Sequence, residues 1–143
     1  MTRFRAASAA AVAVLLGLSL GATGCGKYSY GNLKAMKAFK DANQEYQAQE
    51  WKKAADKYEE ALKANPDLVT AYFFLGNSYD NLYKPSRAGE AENDKYIQKA
   101  IENYTVAAKR ETDPKMRKLA MEYLVAAYGP EKLNQPEKAE PIV

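Results

Sequence analysis

The chain has 143 residues and a formal net charge of +3, and it contains 11 Tyr, one Trp, one Cys and no His. This length suits one compact domain or a short repeat array. The absence of histidine removes the usual general base and the commonest metal ligand, and a single cysteine excludes an internal disulfide framework. We therefore expect no cofactor, no metal site and no enzymatic activity.

The N-terminal segment has the pattern of an export signal. Two arginines, Arg3 and Arg5, precede a charge-free apolar stretch, Ala6–Leu20. This stretch is shorter than the roughly 20 residues that are needed to cross a bilayer. A short basic start, a short apolar stretch and then small residues are typical of a secretory signal peptide, which we place at residues 1–24. The small residues Ala, Thr and Gly lead directly to the only cysteine, Cys25.

The residues before Cys25 resemble the lipobox of bacterial lipoproteins, although Ala22 stands where a lipobox usually has Leu. The alternative is a plain signal peptide followed by an incidental cysteine. The resemblance implies that Cys25 is acylated and becomes the mature N-terminus, that residues 25–32 form a tether, and that the acyl chains anchor the protein in the membrane. Gly26 follows the cysteine instead of Asp, which favours the outer membrane of a bacterial envelope, facing the periplasm.

The remaining chain is nearly neutral. Residues 1–24 carry two arginines and no acidic residue, so 19 basic and 18 acidic side chains are left without them. A nucleic-acid-binding domain needs a basic stripe. We therefore expect no nucleic acid among the partners.

From residue 33 onwards the apolar residues follow a helical period. They recur at steps of three and four residues, and no alternation of period two competes with this pattern. These positions are Met36, Phe39, Ala42, Tyr46, then Ala54, Ala55, Tyr58, Ala61, Leu62, then Tyr72, Leu75, Gly76, Tyr79, and finally Ile97, Ala100, Ile101, Tyr104, Ala107. Asp67 after Pro66, and Asp113 before Pro114, are placed to cap the helices that follow them. The pattern predicts an all-α chain.

The helical stretches also repeat one another. The matching positions are Ala42 and Gly76, Ala54 and Ala100, Tyr58 and Tyr104, and Ala61 and Ala107. The first pair has an offset of 34 and the other three pairs share an offset of 46. The difference between the two offsets predicts a single insertion, best placed at residues 83–94. Leu124 and Tyr128 follow Leu75 and Tyr79 with an offset of 49 and begin a third, incomplete copy.

Residues 42–66 resemble the tetratricopeptide repeat through Ala42, Tyr46, Ala54, Tyr58, Ala61 and the closing Pro66. The resemblance implies that residues 33–143 form antiparallel helix hairpins in a short right-handed solenoid of about 2.5 repeats. It also implies which residues pack the hairpins. These are Ala42, Ala54, Tyr58, Ala61, Leu75, Gly76, Tyr79, Ala100, Tyr104, Ala107, Leu124 and Tyr128.

The same resemblance implies a concave face, lined by the first helix of each pair, that binds peptides. The candidate residues are Met36, Phe39, Asn43, Tyr46, Gln47, Thr70, Phe73, Asn77, Asp80 and Asn81. Asn43 and Asn77 occupy equivalent positions of the two repeats, and a side-chain amide both donates to and accepts from a peptide backbone. The alternative is that the phenylalanines pack between helices and that the asparagines are merely tolerated.

Some members of this family grip chaperone carboxylates with basic residues on this face. Here those positions carry Phe39, Leu119 and Tyr123, which favours an apolar or neutral ligand. Trp51, the sole tryptophan, is either a binding hot spot or, as the resemblance favours, the aromatic residue with which the family often packs the hairpin. The insertion at residues 83–94 is either a binding loop or an idle one.

We therefore expect a membrane-tethered, periplasm-facing scaffold that binds a peptide segment or helix of another envelope protein. The main alternative within this class is a component of outer-membrane assembly or of pilus or secretion machinery. A further alternative is an oligomerisation module. The helix near residues 115–129 lacks a full helical partner, which indicates a fragment, a face covered by a partner, or a third repeat completed by a second copy.

Overall fold

The computed structural model describes residues 29–142, and the predicted signal peptide and Cys25 lie outside this range. The α-helices in this range are α1 (Tyr30–Gln47), α2 (Trp51–Ala64), α3 (Val69–Leu82), α4 (Ala91–Arg110) and α5 (Pro114–Tyr128). A short 3₁₀ turn, Pro85–Arg87, lies between α3 and α4, and two more, Pro136–Lys138 and Glu140–Ile142, follow α5. No strand occurs within residues 29–142. None of these helices combines the length and the hydropathy that crossing a bilayer requires.

Helix α1 begins earlier than the sequence pattern indicates. The Ser29 hydroxyl accepts a hydrogen bond from the backbone N–H of Asn32 at 3.2 Å and caps the helix. Such a cap satisfies one of the N–H groups that the first turn leaves without a partner. Residues 30–32, which the sequence places in the tether, therefore form the first turn of α1.

The two predicted aspartate caps have different outcomes. The Asp113 carboxylate accepts hydrogen bonds from the N–H groups of Lys115 and Met116, the second and third residues of α5, at 2.8 and 3.0 Å, which confirms the prediction. The prediction for Asp67 is wrong, because α3 begins at Val69 and its N-cap residue is Leu68. The Asp67 carboxylate instead forms an ion pair with Arg110, at 2.7 Å.

Successive helices pack against each other. Helices α1 and α2 form one hairpin, α3 and α4 form a second, and α5 packs on α4. One continuous core of small and aromatic side chains runs from Ala42 in α1 to Ala127 in α5. The residues assigned to repeat packing lie in the interior, except that Tyr128 is only partly buried. The predicted all-α class and hairpin arrangement are confirmed.

Two equivalent aromatic clusters join successive repeats. Each contains a first-helix phenylalanine, a second-helix tyrosine and an aromatic residue from the first helix of the next repeat. The members are Phe39, Tyr58 and Phe74 in the first cluster and Phe73, Tyr104 and Tyr123 in the second. The phenylalanine and tyrosine ring centroids are 5.7 Å apart in the first and 5.8 Å apart in the second. Equivalent members of the two clusters are separated by the same three offsets as the sequence repeats, so the packing reproduces the repeat pattern.

The segment predicted as an insertion consists of the connection 83–90 and the first turn of α4. Helix α4 has 20 residues, whereas α2 has 14, so much of the extra length is helical. Asn93 is 3% exposed and holds the connection in place. Its side chain accepts from the Lys84 N–H at 2.8 Å and donates to the carbonyl groups of Lys84 and Arg87, both at 3.0 Å.

The residues after α5 fold back on the end of the array. Leu133 and Ile142 are partly buried against the core, and Ile142 lies beside Leu124 of α5 and Thr105 of α4. The chain's own last residues therefore cover part of the α5 surface that the sequence pattern leaves without a helical partner.

Candidate functional site

The first helices of the repeats, α1, α3 and α5, lie side by side and form what we call the first-helix face. The Tyr46 hydroxyl of α1 donates to the side-chain oxygen of Asn77 in α3, at 2.7 Å. Phe73 of α3 packs edge to face against Tyr123 of α5, with ring centroids 5.4 Å apart. These contacts connect the three helices, two of which, α1 and α3, carry the predicted peptide-binding residues.

The structure divides those candidates by accessibility. Met36, Gln47 and Asn81 are exposed, Phe39, Asn43, Tyr46 and Thr70 are partly buried, and Phe73, Asn77 and Asp80 are buried. Thr70 donates a hydrogen bond to Glu111 at 3.2 Å. A ligand can contact the exposed group directly, whereas the buried group acts through its contacts with neighbouring side chains.

Each of the two equivalent asparagines, Asn43 and Asn77, forms a hydrogen bond with the second-helix tyrosine of its own hairpin. The Tyr58 hydroxyl donates to Asn43 at 2.6 Å, and the Asn77 amide donates to the Tyr104 oxygen at 3.3 Å. Burial raises the pKa of Tyr58 and of Tyr104, so both hydroxyls keep their protons at neutral pH. The asparagines therefore satisfy buried hydroxyls, a structural role that the sequence reasoning did not consider.

A chain of polar contacts continues from Asn77 to the C-terminal residues. The Tyr104 hydroxyl donates to Asp80 at 3.2 Å, and the Lys132 ammonium forms an ion pair with the other oxygen of Asp80. The Asp80 side chain is 6% exposed and the Lys132 side chain is 25% exposed. A buried carboxylate needs such a partner, because an unpaired buried charge is costly. Sequence reasoning missed Lys132, since nothing in the local sequence relates it to a residue two helices earlier.

A groove of about 520 Å³ opens beside this polar chain. Its lining residues are Trp51, Asn77, Asp80, Asn81, Tyr83, Tyr123 and Lys132. Trp51 packs edge to face on Tyr46, with centroids 5.2 Å apart, so the tryptophan packs the α1–α2 hairpin and also lines the groove. Sequence reasoning placed Asn77, Asp80 and Asn81 at this site but assigned no groove role to Trp51 or Tyr83.

The charges of the groove are balanced within it. Asp80 and Lys132 neutralise each other, and the remaining lining side chains are amides and aromatic rings. Within residues 29–142, no three acidic, cysteine or histidine side chains are grouped so that they could hold a metal ion. The groove therefore offers hydrogen-bonding and aromatic surface.

A second polar cluster joins the helices α2, α3 and α4. The Tyr79 hydroxyl donates to the Glu59 carboxylate. The Lys99 ammonium donates to the same Glu59 oxygen and to the Tyr79 hydroxyl oxygen, both at 2.8 Å. Burial raises the pKa of Tyr79 to about 12, and the hydrogen bond to Glu59 contributes to this increase. Burial alone would raise the pKa of Glu59, but the hydrogen bonds from Lys99 and Tyr79 outweigh this effect and lower the pKa. This cluster stabilises the contact between α2, α3 and α4.

Comparison with known proteins identifies part of this arrangement. Residues 42–82, which span the end of α1, all of α2 and all of α3, match the family model for the TPR repeat. The matched segment is similar to a tetratricopeptide repeat. With the helix pairs described above, the match confirms the predicted all-α, tetratricopeptide-like solenoid. No curated protein and no solved structure matches the chain significantly. Tetratricopeptide arrays typically serve as interaction scaffolds that bind protein partners, so the fold supports a role in protein binding.

Proposed function

We propose that this protein is a lipid-anchored scaffold of the bacterial cell envelope, which faces the periplasm and binds a segment of another envelope protein on its first-helix face. The observation that carries the binding role is the neutral groove next to the tetratricopeptide repeat. The anchor rests on the lipobox-like residues before Cys25. Confinement to a membrane surface raises the effective concentration of the scaffold for partners on the same surface.

The groove has the groups that an extended or helical peptide needs. The Asn81 amide donates to the Asn77 backbone carbonyl at 2.9 Å and to the Asn77 side chain at 3.0 Å, which orients the Asn81 carbonyl as an acceptor for a ligand N–H. Trp51 and Tyr123 add aromatic surface on two sides. Because Lys132 already neutralises Asp80, the groove favours a neutral polar or aromatic segment over a charged tail.

The anchor is tested by the intact mass of the protein purified from bacterial membranes. We expect a mature species that begins at Cys25 and carries added lipid mass, and we expect the Cys25→Ser variant to lose that mass. An unlipidated, soluble wild-type protein would contradict the anchored part of the proposal and leave the peptide-binding part standing.

The binding face is tested by photo-crosslinking in cells. A photoreactive amino acid is placed at Asn81 in the groove and, as the matched control, at Glu102, an exposed residue on the outer side of α4. We expect position 81, and not position 102, to capture one other envelope protein. Equal capture at both positions, or capture at position 102 alone, would contradict binding through the groove.

The captured partner also decides between the narrower alternatives. A partner from outer-membrane assembly or from a pilus or secretion system would place the scaffold in that machinery. Capture of a second copy of the chain would support the oligomerisation module instead. Leu133 and Ile142 already cover part of α5, which argues against a third repeat that a second copy must complete.

A further inference from the structure

The exposed side of α1 combines apolar and basic residues. Tyr30, Leu33 and Met36 are 85%, 58% and 49% exposed, and they are three of the four exposed large hydrophobic residues within residues 29–142. Three exposed lysines lie among them, at positions 34, 37 and 40. Residues 30–40 contain no acidic residue. Scattered exposed apolar residues are ordinary, but a contiguous apolar and basic surface on one helix marks an interaction site.

Helical geometry points much of this surface away from α2, although Lys34 and Lys37 lie near Glu60 of α2. The buried residues of α1 are Ala35, Ala38 and Ala42, which face α2. At about 100° per residue, Leu33 and Lys37 lie on the opposite side of the helix. Helix α1 is also the end of the array within the described residues, so no preceding repeat packs on this side. We call this surface, formed by residues 30–40, the outer face of α1.

The segment between Cys25 and Tyr30 limits how far the outer face of α1 can lie from the acylated residue. Only five peptide units separate Cys25 from Tyr30, and an extended chain spans at most about 3.6 Å per residue. The first turn of α1 therefore lies within about 18 Å of the acylated residue. This step rests on the proposed lipidation of Cys25. A helix whose N-terminus is held so close to a bilayer has lipid headgroups within reach.

We infer that the outer face of α1 lies on an anionic phospholipid bilayer, with Tyr30 and Leu33 in the headgroup region and Lys34 and Lys37 against lipid phosphates. Leu33 supplies apolar area, and a tyrosine at the interface places its ring among the lipids and its hydroxyl in water. Lysines next to a membrane are attracted to anionic headgroups. The contact orients the array, with α1 at the membrane and α5 on the far side.

The test measures the depth of a nitroxide label on the lipidated protein in vesicles of phosphatidylethanolamine and phosphatidylglycerol. The label is attached through Leu33→Cys, and through Glu102→Cys in the control. Acylated Cys25 has no free thiol, because its sulfur forms a thioether, so the label goes to the introduced cysteine. We expect the ratio of oxygen to nickel-chelate collision rates to be higher at position 33 than at position 102. Adding Lys34→Glu and Lys37→Glu should lower the ratio at position 33.

The outcomes separate this inference from the proposed function. If the protein carries the lipid but the label at position 33 reports water, the inference is overturned and the anchored scaffold stands. A label at position 33 that is shielded from both oxygen and nickel would mean that a protein covers the outer face, and this also overturns the inference. If Cys25 carries no lipid, the inference falls together with the anchor. Circular dichroism of each variant shows whether the fold is retained.

Discussion

Gly76 lies where α3 and α4 approach each other closely. A Cβ atom at this position would be 2.9 and 3.0 Å from two ring carbons of Tyr104 and 3.2 Å from the Ala100 carbonyl oxygen. Overpacking a core costs about 1–3 kcal/mol, whereas replacing glycine by alanine in a helix gains up to about 1 kcal/mol. We therefore expect Gly76→Ala to lower the free energy of unfolding by about 1–2 kcal/mol, measured by urea denaturation.

The equivalent residue of the first repeat provides the control. Ala42 is fully buried and fills the corresponding position with a methyl group. Ala42→Gly should be destabilising as well, by about 1 kcal/mol, through the conformational freedom of glycine. Tyr104→Leu removes the aromatic ring that a Cβ atom at position 76 would approach. In this background, Gly76→Ala should lower the free energy of unfolding by less. A Gly76→Ala protein that is as stable as the wild type would show that the Tyr104 ring moves aside without cost.

Repetition in the sequence determined which individual residues could be predicted. Small and aromatic residues that recur from one repeat to the next were assigned to packing, and all of them except the partly buried Tyr128 lie in the interior. The sequence pattern did not identify Phe74 as a packing residue. Its equivalent in the first repeat is Lys40, on a helix that has no preceding repeat to pack against within the described residues. The pair of Asp80 and Lys132 was not found either, since it joins a repeat to the non-repeating C-terminal residues.

At the level of elements, the connection between α3 and α4 depends on one buried side chain. Asn93 makes three hydrogen bonds to the backbone of Lys84 and Arg87. Asn93→Ala removes them and leaves the Lys84 N–H without its partner, whereas the Lys84 and Arg87 carbonyl groups keep hydrogen bonds from the N–H groups of Arg87 and Glu90, so the loss should be about 1–2 kcal/mol. We expect a lower unfolding midpoint and faster hydrogen exchange of the Lys84 amide, measured by nuclear magnetic resonance.

Lys95→Ala is the matched control for Asn93→Ala, because Lys95 is exposed on the same turn region of α4. It should change neither the midpoint nor the exchange of the Lys84 amide. If Asn93→Ala also leaves that amide protected, the connection is held by other contacts, such as those between the Gly89 N–H and Asp94.

The helices themselves were easier to predict than their ends and connections. Apolar periodicity reports the buried face of a helix, and it continues through the middle of each of α1 to α4. The start of a helix depends on which nearby group accepts hydrogen bonds from the N–H groups of its first turn. Ser29 and Asp113 do so, whereas Asp67 pairs with Arg110, which lies at the far end of α4 and could not be anticipated from local sequence.

At the scale of the whole molecule, buried tyrosines make stability depend on alkaline pH. Burial raises the pKa of Tyr58, Tyr79 and Tyr104, to about 12 for Tyr79. The folded state therefore holds these protons more tightly than the unfolded chain, whose tyrosines titrate near about 10. Their contribution is fully present below about pH 10 and is lost as the pH rises towards the folded values. We expect Tm to fall steeply above about pH 10, measured by circular dichroism.

At acid pH the dependence of stability on pH has the opposite sign, because the pKa of Glu59 is lower in the folded state than in the unfolded chain. Its contribution is present above the unfolded value, about 4.3, and is lost as the pH falls below that value. Glu59 is partly exposed, and water screens such a pair, so the acid loss should be small. The alkaline loss should be larger, because it involves three hydroxyls from the core of both hairpins.

Tyr79→Phe separates the tyrosine effect from general alkaline denaturation. The variant keeps the ring and the Glu59–Lys99 ion pair but removes one titrating hydroxyl, so its Tm should fall less than that of the wild type as the pH rises from about 10 towards the folded pKa of about 12. Tyr30→Phe removes an exposed hydroxyl and should leave the profile unchanged. If Tyr79→Phe and the wild type lose stability in parallel, the Tyr79 hydroxyl does not contribute to the alkaline transition. Tyr79 of α3 and Glu59 of α2 belong to different hairpins, so a reduced alkaline loss would show that deprotonation of a hydroxyl at the contact between the hairpins destabilises the array.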